Sequence, residues 1–248
     1  MRADRPAMEF ETLTLPLPPG SGLAGLRILH LSDIHARGAG SAAVRAVGDL
    51  AGVDCDIVCL TGDLVERPDG MDPLGRALAG LSPKLGIYAC PGNHDRQLPP
   101  GVFEEGFERW DVELLVNRSL VLEHAGTRFN LVGTDDPYHY RHDLAVAYAG
   151  VDESLGVLLL IHTPDGVFDL GGRRSDLALS GHTHGGQVCP PLLPVSTNTR
   201  NRLPDAQGVM LLDGYLCHVS AGLGWSTVPW RWRCPPKSHL LELVEVSP

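Results

Sequence analysis

The 248-residue sequence lacks any uninterrupted apolar run of the roughly 18 residues that a membrane-spanning helix requires. Its first residues, "MRADRPAMEF", carry charges where a secretory signal needs an apolar segment. The six cysteines form no C-x-x-C pair, and several lie inside apolar runs such as "DIVCL" and "GIYAC". Buried free thiols are typical of a reducing compartment, so we expect a cytoplasmic protein.

Positive charge is also scarce, because 20 Lys and Arg against 30 Asp and Glu give a formal net charge of −10. Such a chain is poorly suited to non-specific binding of nucleic acid or of an anionic membrane, both of which use a basic field. A small or locally steered substrate fits better, while transient contact with a membrane surface stays open. The composition is that of a globular protein, which we expect to form a single domain over residues 1–248, although the length permits two.

Apolar runs that end in polar residues recur along the chain. "LRILHLSDIH", "DIVCLTGD" and "KLGIYACPGNHD" each predict a buried strand that delivers its last residues to a loop. Helices are expected between them, over residues 42–51 after a Ser41 cap and from Pro73 onwards, which makes parallel βαβ units. "GVLLLIH" and "DLALSGHTH" predict two further strands. The remaining expectations are a strand over Glu9–Leu15, a helical stretch near 142–150, hairpins at Ala125-Gly126 and Asp213-Gly214, and a last strand in "HLLELVEV".

Side chains that can bind a metal follow five of these predicted strands: Asp33, His35, Asp63, Asn93, His162, His182 and His184. In open α/β sheets, functional groups gather outside the carboxyl ends of the strands, so these side chains are expected to converge on one crevice. The pairs in "SDIH" and "HTH" are two residues apart, which points both side chains the same way on an extended chain. Imidazole, carboxylate and amide ligands without a thiolate favour manganese, iron or zinc.

This number of ligands exceeds the three or four that a lone catalytic zinc uses, which predicts two divalent ions sharing a bridging carboxylate. Two metals about 3.5–4 Å apart form the clamp used for in-line displacement at phosphorus. A net positive centre of this kind would attract phosphate to an acidic protein. Taken alone, "GHTHGGQ" is equally open to a bland interpretation, because paired histidines near turns also occur without a metal.

The stretches "SDIH", "GDLVE", "GNHD", "IHTPD" and "GHTHGGQ" resemble, in order, spacing and strand context, the calcineurin-like metallophosphoesterase family over roughly Leu26 to Val219. The resemblance implies an α/β fold, a four-layer αββα sandwich of two mixed β-sheets flanked by helices. It also implies two metal ions, with manganese expected first and iron or zinc as alternatives. The first ion would be bound by Asp33, His35, Asp63 and His184, and the second by Asp63, Asn93, His162 and His182.

The ending "GHTHGGQ" looks most like that of small bacterial members, some of which cleave phosphodiesters or the pyrophosphate of lipid-linked sugar nucleotides. Glu66 stands where purple acid phosphatases have a tyrosine, and "GNHD" differs from the GNHE of Ser/Thr protein phosphatases. The chain departs from its small relatives at Ala221, where they often carry an arginine, so the guanidinium expected at that position is missing.

The ligand set and the resemblance together predict a phosphohydrolase that cleaves a phosphodiester or pyrophosphate bond by attack of a metal-bridging hydroxide. Its substrate is expected to be a phosphorylated small molecule or a lipid-linked one. His94 is expected to protonate the leaving oxygen, and Asp95, its neighbour in "GNHD", to orient His94. Two alternatives stay open: a phosphomonoesterase, and a binding or scaffold module of the same fold.

Several other side chains allow two interpretations. The loop over 135–143, "DDPYHYRHD", either lines the substrate cleft or is solvated, and Glu66 and Arg67 either reach the site or lie at the surface. The segment over 225–233 carries three tryptophans among arginines, and it either packs in the core or receives a lipid or nucleotide portion of a substrate. Four histidines within strand-like segments are expected to be structural, namely His30, His124, His218 and His239.

Overall fold

The computed structural model describes residues 8–193 and 195–246, and its strands form two six-stranded sheets. In chain order the strands are β1 (Glu9–Leu17), β2 (Arg27–Leu31), β3 (Ile57–Thr61), β4 (Ile87–Cys90), β5 (Val112–Leu114), β6 (Arg118–His124), β7 (Thr127–Gly133), β8 (Gly156–Leu160), β9 (Leu177–Ser180), β10 (Gly208–Leu212), β11 (Tyr215–Val219) and β12 (Lys237–Glu245). The first sheet has the order β1-β12-β2-β3-β4-β5, and the second has the order β10-β11-β9-β8-β7-β6.

Both sheets are mixed, with parallel strands at their centres. In the first, β2 to β5 are mutually parallel, while β12 runs antiparallel to β2. In the second, β7, β8, β9 and β11 are parallel, and the predicted hairpins at Ala125-Gly126 and Asp213-Gly214 add β6 and β10 as antiparallel edges. The carboxyl ends of the central parallel strands in each sheet therefore lie at one edge of that sheet.

The described part of the chain also contains four short α-helices: α1 (Ala42–Gly48), α2 (Met71–Leu78), α3 (Val102–Arg109) and α4 (Leu144–Ala147). The helix predicted over 42–51 stops at Gly48, after which the chain turns tightly and reaches Gly52 at a φ of 89°. Helix α2 begins two residues before Pro73, since a proline in the first turn needs no intrahelical acceptor for an N–H. Within the described ranges, no helix combines the length and the apolar character needed to span a bilayer.

Alternate residues of each central strand face different layers, which confirms the αββα sandwich. Leu29 of β2 packs toward α1, α2 and α3, whereas Ile28 faces the second sheet. Likewise Leu158 of β8 packs between the sheets, whereas Leu159 faces the outer layer formed by α4 and the 3₁₀ segment Pro164–Asp169. Three apolar cores thus separate four layers.

Three of the four histidines expected to be structural meet inside the sandwich. His30 of β2 approaches His218 of β11, with 2.8 Å between their Nδ1 atoms, and its Nε2 lies 2.8 Å from the hydroxyl of Thr61. His239 of β12 lies edge-on to His218, with ring centroids 4.5 Å apart. Burial lowers the pKa of His30 to about 3 and that of His239 to about 4, and it lowers the pKa of His218 well below its usual range. The three imidazoles are therefore neutral in the folded protein.

This cluster predicts a loss of stability in mild acid. In the unfolded chain the same imidazoles bind protons near pH 6.5, so the unfolded state takes up more protons than the folded one as the pH falls from 6.5 toward 4. Urea unfolding of the metal-free protein should therefore show a free energy of unfolding that falls as the pH is lowered from 6.5 toward 4. Each imidazole should contribute up to about 1.4 kcal/mol per pH unit.

His239→Gln provides the matched comparison. The carboxylates contribute equally to the pH dependence of the free energy of unfolding in the variant and in the native chain, so their contribution cancels. Its profile should fall less steeply than that of the native protein between pH 6.5 and 4.5. Parallel profiles for the two proteins would contradict this account of the cluster.

Candidate metal centre

The side chains predicted as metal ligands all lie at the carboxyl ends of central strands. Asp33 and His35 follow β2, Asp63 follows β3, and the others follow β4, β8 and β9, namely Asn93, His162, His182 and His184. Each of the seven is at most 6% exposed. Strands of both sheets therefore bring them to one buried locality, as their spacing along the chain predicts.

The backbone at these residues differs from the extended chain expected in "SDIH" and "HTH". Asp33 and His35 have φ of 49° and 45°, and Asp63, His182 and His184 are likewise left-handed. Left-handed backbone is costly for residues with a Cβ, and it persists where neighbouring contacts hold it. Here the amides of Asp33 and His35 donate to the carbonyls of Gly62 and Asp63, at 3.0 and 2.9 Å. The paired side chains converge through this local twist rather than through strand geometry.

Two glycines leave the space that the ligand side chains occupy. A Cβ at Gly62, whose φ is 81°, would lie 2.5 Å from Nδ1 of His162. A Cβ at Gly92 would lie 2.3 Å from a carboxylate oxygen of Asp63. The glycines of "GDLVE" and "GNHD" are therefore required sterically by the centre itself.

A first group of ligand atoms belongs to Asp33, His35, Asp63 and His184, and these atoms lie within 4.8 Å of one another. Nε2 of His35 lies 3.1 Å from Nε2 of His184 and 3.6 Å from a carboxylate oxygen of Asp63. Nε2 of His184 also lies 3.4 Å from Asp33. Burial, His35 and Arg231 lower the pKa of His184 well below its usual range, so its imidazole is neutral and able to bind a metal.

A second group shares Asp63 and adds His162 and His182, again within 4.8 Å of one another. Nε2 of His162 lies 3.4 Å from the same Asp63 oxygen that faces His35. Nδ1 of His182 lies 3.0 Å from the amide oxygen of Asn93, which brings Asn93 to this group. One carboxylate is thus common to both groups.

The chemistry of the cluster fits divalent cations. His162 uses Nδ1 to contact the carbonyl of Thr61 at 2.7 Å, and its buried Nε2 finds no hydrogen-bond partner among the described residues. Burial alone would lower the pKa of His162, but the adjacent Asp63 raises it to about 10. The centre therefore favours positive charge at this point, and its nitrogen and oxygen ligands suit first-row transition metals.

A third group joins His35 and His94 through Glu66. A carboxylate oxygen of Glu66 lies 2.6 Å from Nδ1 of His35 and 3.1 Å from Nδ1 of His94. Burial would raise the pKa of Glu66, but the hydrogen bonds from the two histidines lower it, so the group is ionised. Glu66 therefore reaches the site, which settles the two interpretations left open for it.

Asp95 lies elsewhere than expected, which corrects its predicted role beside His94. Its carboxylate accepts hydrogen bonds from the amides of Leu64 and Val65, both at 2.9 Å, and from that of Gly92 at 2.8 Å. The 3₁₀ turn Asp95–Gln97 begins here, and consecutive residues in such a turn point in different directions. Asp95 thus joins two ligand-bearing loops, while Glu66 contacts His94.

The sequence model of the calcineurin-like phosphoesterase family matches residues 26–186, which is more than half of the chain. The chain belongs to this family. It is 30% identical to the uncharacterized metallophosphoesterase YkoQ of Bacillus subtilis, over 92% of this chain and 88% of the relative. It is 28% identical to the phosphodiesterase YaeI of Escherichia coli, over 89% and 83%. It is 25% identical to the UDP-2,3-diacylglucosamine pyrophosphatase LpxG of Chlamydia trachomatis, over 90% and 84%.

One residue that the sequence left unassigned fastens the His184 loop of this calcineurin-like phosphoesterase. The half-buried guanidinium of Arg231 donates to the carbonyls of Gly224, Ala221 and His184, at 2.7, 2.8 and 3.1 Å. Its Nη2 lies 3.2 Å from Nδ1 of His184. A guanidinium thus contacts the backbone of Ala221, the position at which the family resemblance led us to expect an arginine. The sequence indicated this role of Arg231 only weakly, as a basic residue inside a tryptophan-rich stretch.

The contacts of Asp95 predict a structural effect of its removal. Asp95→Ala would leave three buried amides without their acceptor, and each unsatisfied group costs about 1–3 kcal/mol. We expect the free energy of unfolding of the metal-free protein to fall by about 3 kcal/mol or more, measured by urea denaturation. Asp69→Ala, which removes an exposed carboxylate, should change it by less than about 0.5 kcal/mol. Equal midpoints for Asp95→Ala and the native chain would exclude this bracing role.

Proposed function

We propose that the protein is a binuclear metal-dependent phosphohydrolase that cleaves a phosphodiester or pyrophosphate bond. The observation that carries this proposal is the position of Asp63, whose carboxylate belongs to both groups of ligand atoms. Family membership supports phosphoester hydrolysis, and the similarity to the phosphodiesterase YaeI and the pyrophosphatase LpxG supports the diester and pyrophosphate classes.

The two groups divide the ligands between two cations, with manganese as the expected metal and iron or zinc as alternatives. Asp33, His35 and His184 would hold the first, while Asn93, His162 and His182 would hold the second, and Asp63 would bridge them. Such ions supply Lewis-acid stabilisation of phosphoryl charge and lower the pKa of water to near neutrality. The protein supplies the imidazole, carboxylate and amide ligands and their fixed orientation, for which the Glu66 contact to His35 is one means.

His94 is proposed as the acid that protonates the leaving oxygen. Its Nδ1 faces Glu66, and its Nε2 points toward the hydroxyl of Ser226 at 3.4 Å, where the side chain is 25% exposed. The hydrogen bond to Glu66 raises the pKa of His94, which favours the protonated imidazole. A partly exposed and protonated imidazole beside a metal centre can donate that proton to a departing alkoxide or phosphate.

A lipid-linked substrate is favoured by the tryptophan-rich segment. Trp225 lies under the guanidinium of Arg37, with 3.6 Å to the ring centroid. Trp230 and Trp232 are 49% and 46% exposed, so they are not part of the core. Exposed tryptophans of this kind can receive an acyl or nucleoside portion of a substrate, or touch a membrane surface.

We also propose a cytoplasmic location, because the six cysteines are free and five of them are buried.

Hydrolysis of two chromogenic substrates tests the proposed function. With Mn²⁺, the native protein should cleave bis(p-nitrophenyl) phosphate with a higher kcat/KM than p-nitrophenyl phosphate, and EDTA should abolish the reaction. Asp63→Asn is expected to lose it too, because the shared ligand is weakened for both ions. Preference for the monoester would instead indicate a phosphomonoesterase. Metal-loaded protein that cleaves neither substrate would indicate a binding module.

The role of His94 is tested separately. His94→Ala should lower kcat for a phosphodiester by roughly 100-fold or more, the range typical of a lost general acid, while metal content stays that of the native protein. His124→Ala, at the far end of the second sheet, serves as the matched control and should leave kcat unchanged. If kcat of His94→Ala also stays at the native value, His94 has no part in proton transfer.

A further inference from the structure

A cleft of about 350 Å³ opens beside the candidate second metal position. It is lined by Asn93, Arg96, Gln97, His139 and Arg141. Asn93 also contacts His182 of the second ligand group, at 3.0 Å, so this cleft lies next to the centre. The other lining residues come from the turn after Asn93 and from the loop over 135–143, which the sequence left with two interpretations.

The two arginines of the cleft differ in how far their charge is compensated. Arg96 forms ion pairs with Asp135 at 2.8 Å and with Glu104 at 2.9 Å. Arg141 is exposed, and within the described part of the chain no carboxylate forms an ion pair with it. In a protein with a net charge of −10, Arg141 is therefore an uncompensated cation beside a centre that binds anionic substrate.

The loop that carries Arg141 is firmly held. The buried carboxylate of Asp136 accepts hydrogen bonds from the amides of Tyr138 and His139, at 2.9 and 3.1 Å, and lies 2.8 Å from Nδ1 of His139. The amide of Arg141 donates to the carbonyl of Asp136 at 3.0 Å. The carbonyl of Arg141 in turn accepts from the side chain of Asn117 at 3.1 Å. These contacts leave Nε2 of His139 and the guanidinium of Arg141 available to a ligand.

The same loop also touches the centre. The ring of Tyr138 lies 5.0 Å from the ring of His182, centroid to centroid. A group bound between His139 and Arg141 would therefore lie next to a phosphoryl group held at the metal ligands. His139 and Arg141 thus provide a second position for an anionic group, adjacent to the phosphoryl position at the candidate metal ligands.

We propose that this cleft binds the second phosphoryl group of a pyrophosphate diester, with Arg141 as the pairing cation and His139 as a further contact. The inference rests on the proposed function and narrows its substrate class. A simple phosphodiester carries one anionic phosphoryl group, which the metal centre would take. A pyrophosphate diester carries a second one, and a guanidinium can contact it through two parallel hydrogen bonds. In hydrolysis, water adds to one phosphorus, the P–O–P bond breaks, and the water protons remain on the two phosphomonoester products.

Steady-state kinetics with two substrate classes tests the assignment. For the Mn²⁺-loaded protein, kcat/KM is measured for the pyrophosphate diesters UDP-glucose and ADP-ribose and for bis(p-nitrophenyl) phosphate. In Arg141→Ala, the ratio of the pyrophosphate value to the diester value should fall about tenfold or more, through a higher KM for the pyrophosphates. Arg141→Lys should recover part of the ratio, because it restores the positive charge but not the two parallel hydrogen bonds that a guanidinium can donate. Arg128→Ala, which removes an exposed arginine at the opposite end of β7, should leave the ratio at the native value.

Calorimetric binding of methylenediphosphonate, a non-hydrolysable pyrophosphate analogue, gives a readout that is independent of turnover. Its affinity should fall about tenfold in Arg141→Ala and not in Arg128→Ala. An unchanged ratio, equal losses on both substrate classes, or native cleavage of the diester alone would overturn the inference while the proposed hydrolase stands. If the native protein cleaves neither class, the proposed function fails, and the binding measurement alone decides the anion site: equal affinities or no binding would overturn it.

Discussion

The centre depends on one buried carboxylate that faces imidazoles from both sheets. Asp63 is 2% exposed, and one of its oxygens lies within 3.6 Å of Nε2 of His35 and of His162. Burial of an ionised carboxylate costs several kcal/mol unless positive charge or hydrogen bonds compensate it. Burial would raise the pKa of Asp63, yet the surrounding histidines, His162 foremost, lower it well below its usual range. The carboxylate stays ionised, and the surrounding side chains are arranged to supply or hold cations.

The architecture around Asp63 follows from this requirement. Two sheets are needed because His35 and Asp63 follow strands of the first, whereas His162 and His184 follow strands of the second. Gly62 and Gly92 let the loops approach closely enough for the side chains to meet. Asp95 then joins the loop after β3 to the loop after β4 by accepting their amides. The core provides the strands, and the loops provide the left-handed turns that aim the ligands.

Much of this could be predicted from the sequence, because apolar runs that end in Asp, Asn or His carry both the strand and its functional residue. The seven ligand candidates and the sandwich were predictable for that reason. The relation of Asp95 to His94 was not, because adjacency along the chain does not give the direction of a side chain in a 3₁₀ turn. The contacts of Glu66 and Arg231 were also beyond prediction, since each joins segments that are distant in sequence. The left-handed backbone at Asp33 and His182 depends on tertiary hydrogen bonds that no local propensity encodes.

Two sets of side chains lie beside the candidate ligands, one proposed for proton transfer and one proposed for substrate binding. Glu66 contacts a candidate ligand, His35, and a partly exposed imidazole, His94, so one carboxylate orients both a candidate ligand and the side chain proposed for proton transfer. On the other side of Asn93, Arg141 and His139 lie on a loop held by Asp136. The side chains proposed for reaction and for recognition thus lie on different loops around the candidate centre, and such loops can vary without disturbing the candidate ligands.

The central claim is that one carboxylate holds two cations, and metal stoichiometry tests it most directly. The native chain and Asp63→Asn, incubated with Mn²⁺ and then desalted, can be compared by inductively coupled plasma mass spectrometry. We expect two manganese ions per native chain and the loss of both in the variant. A native chain that retains none, or a variant that still retains two, would contradict it.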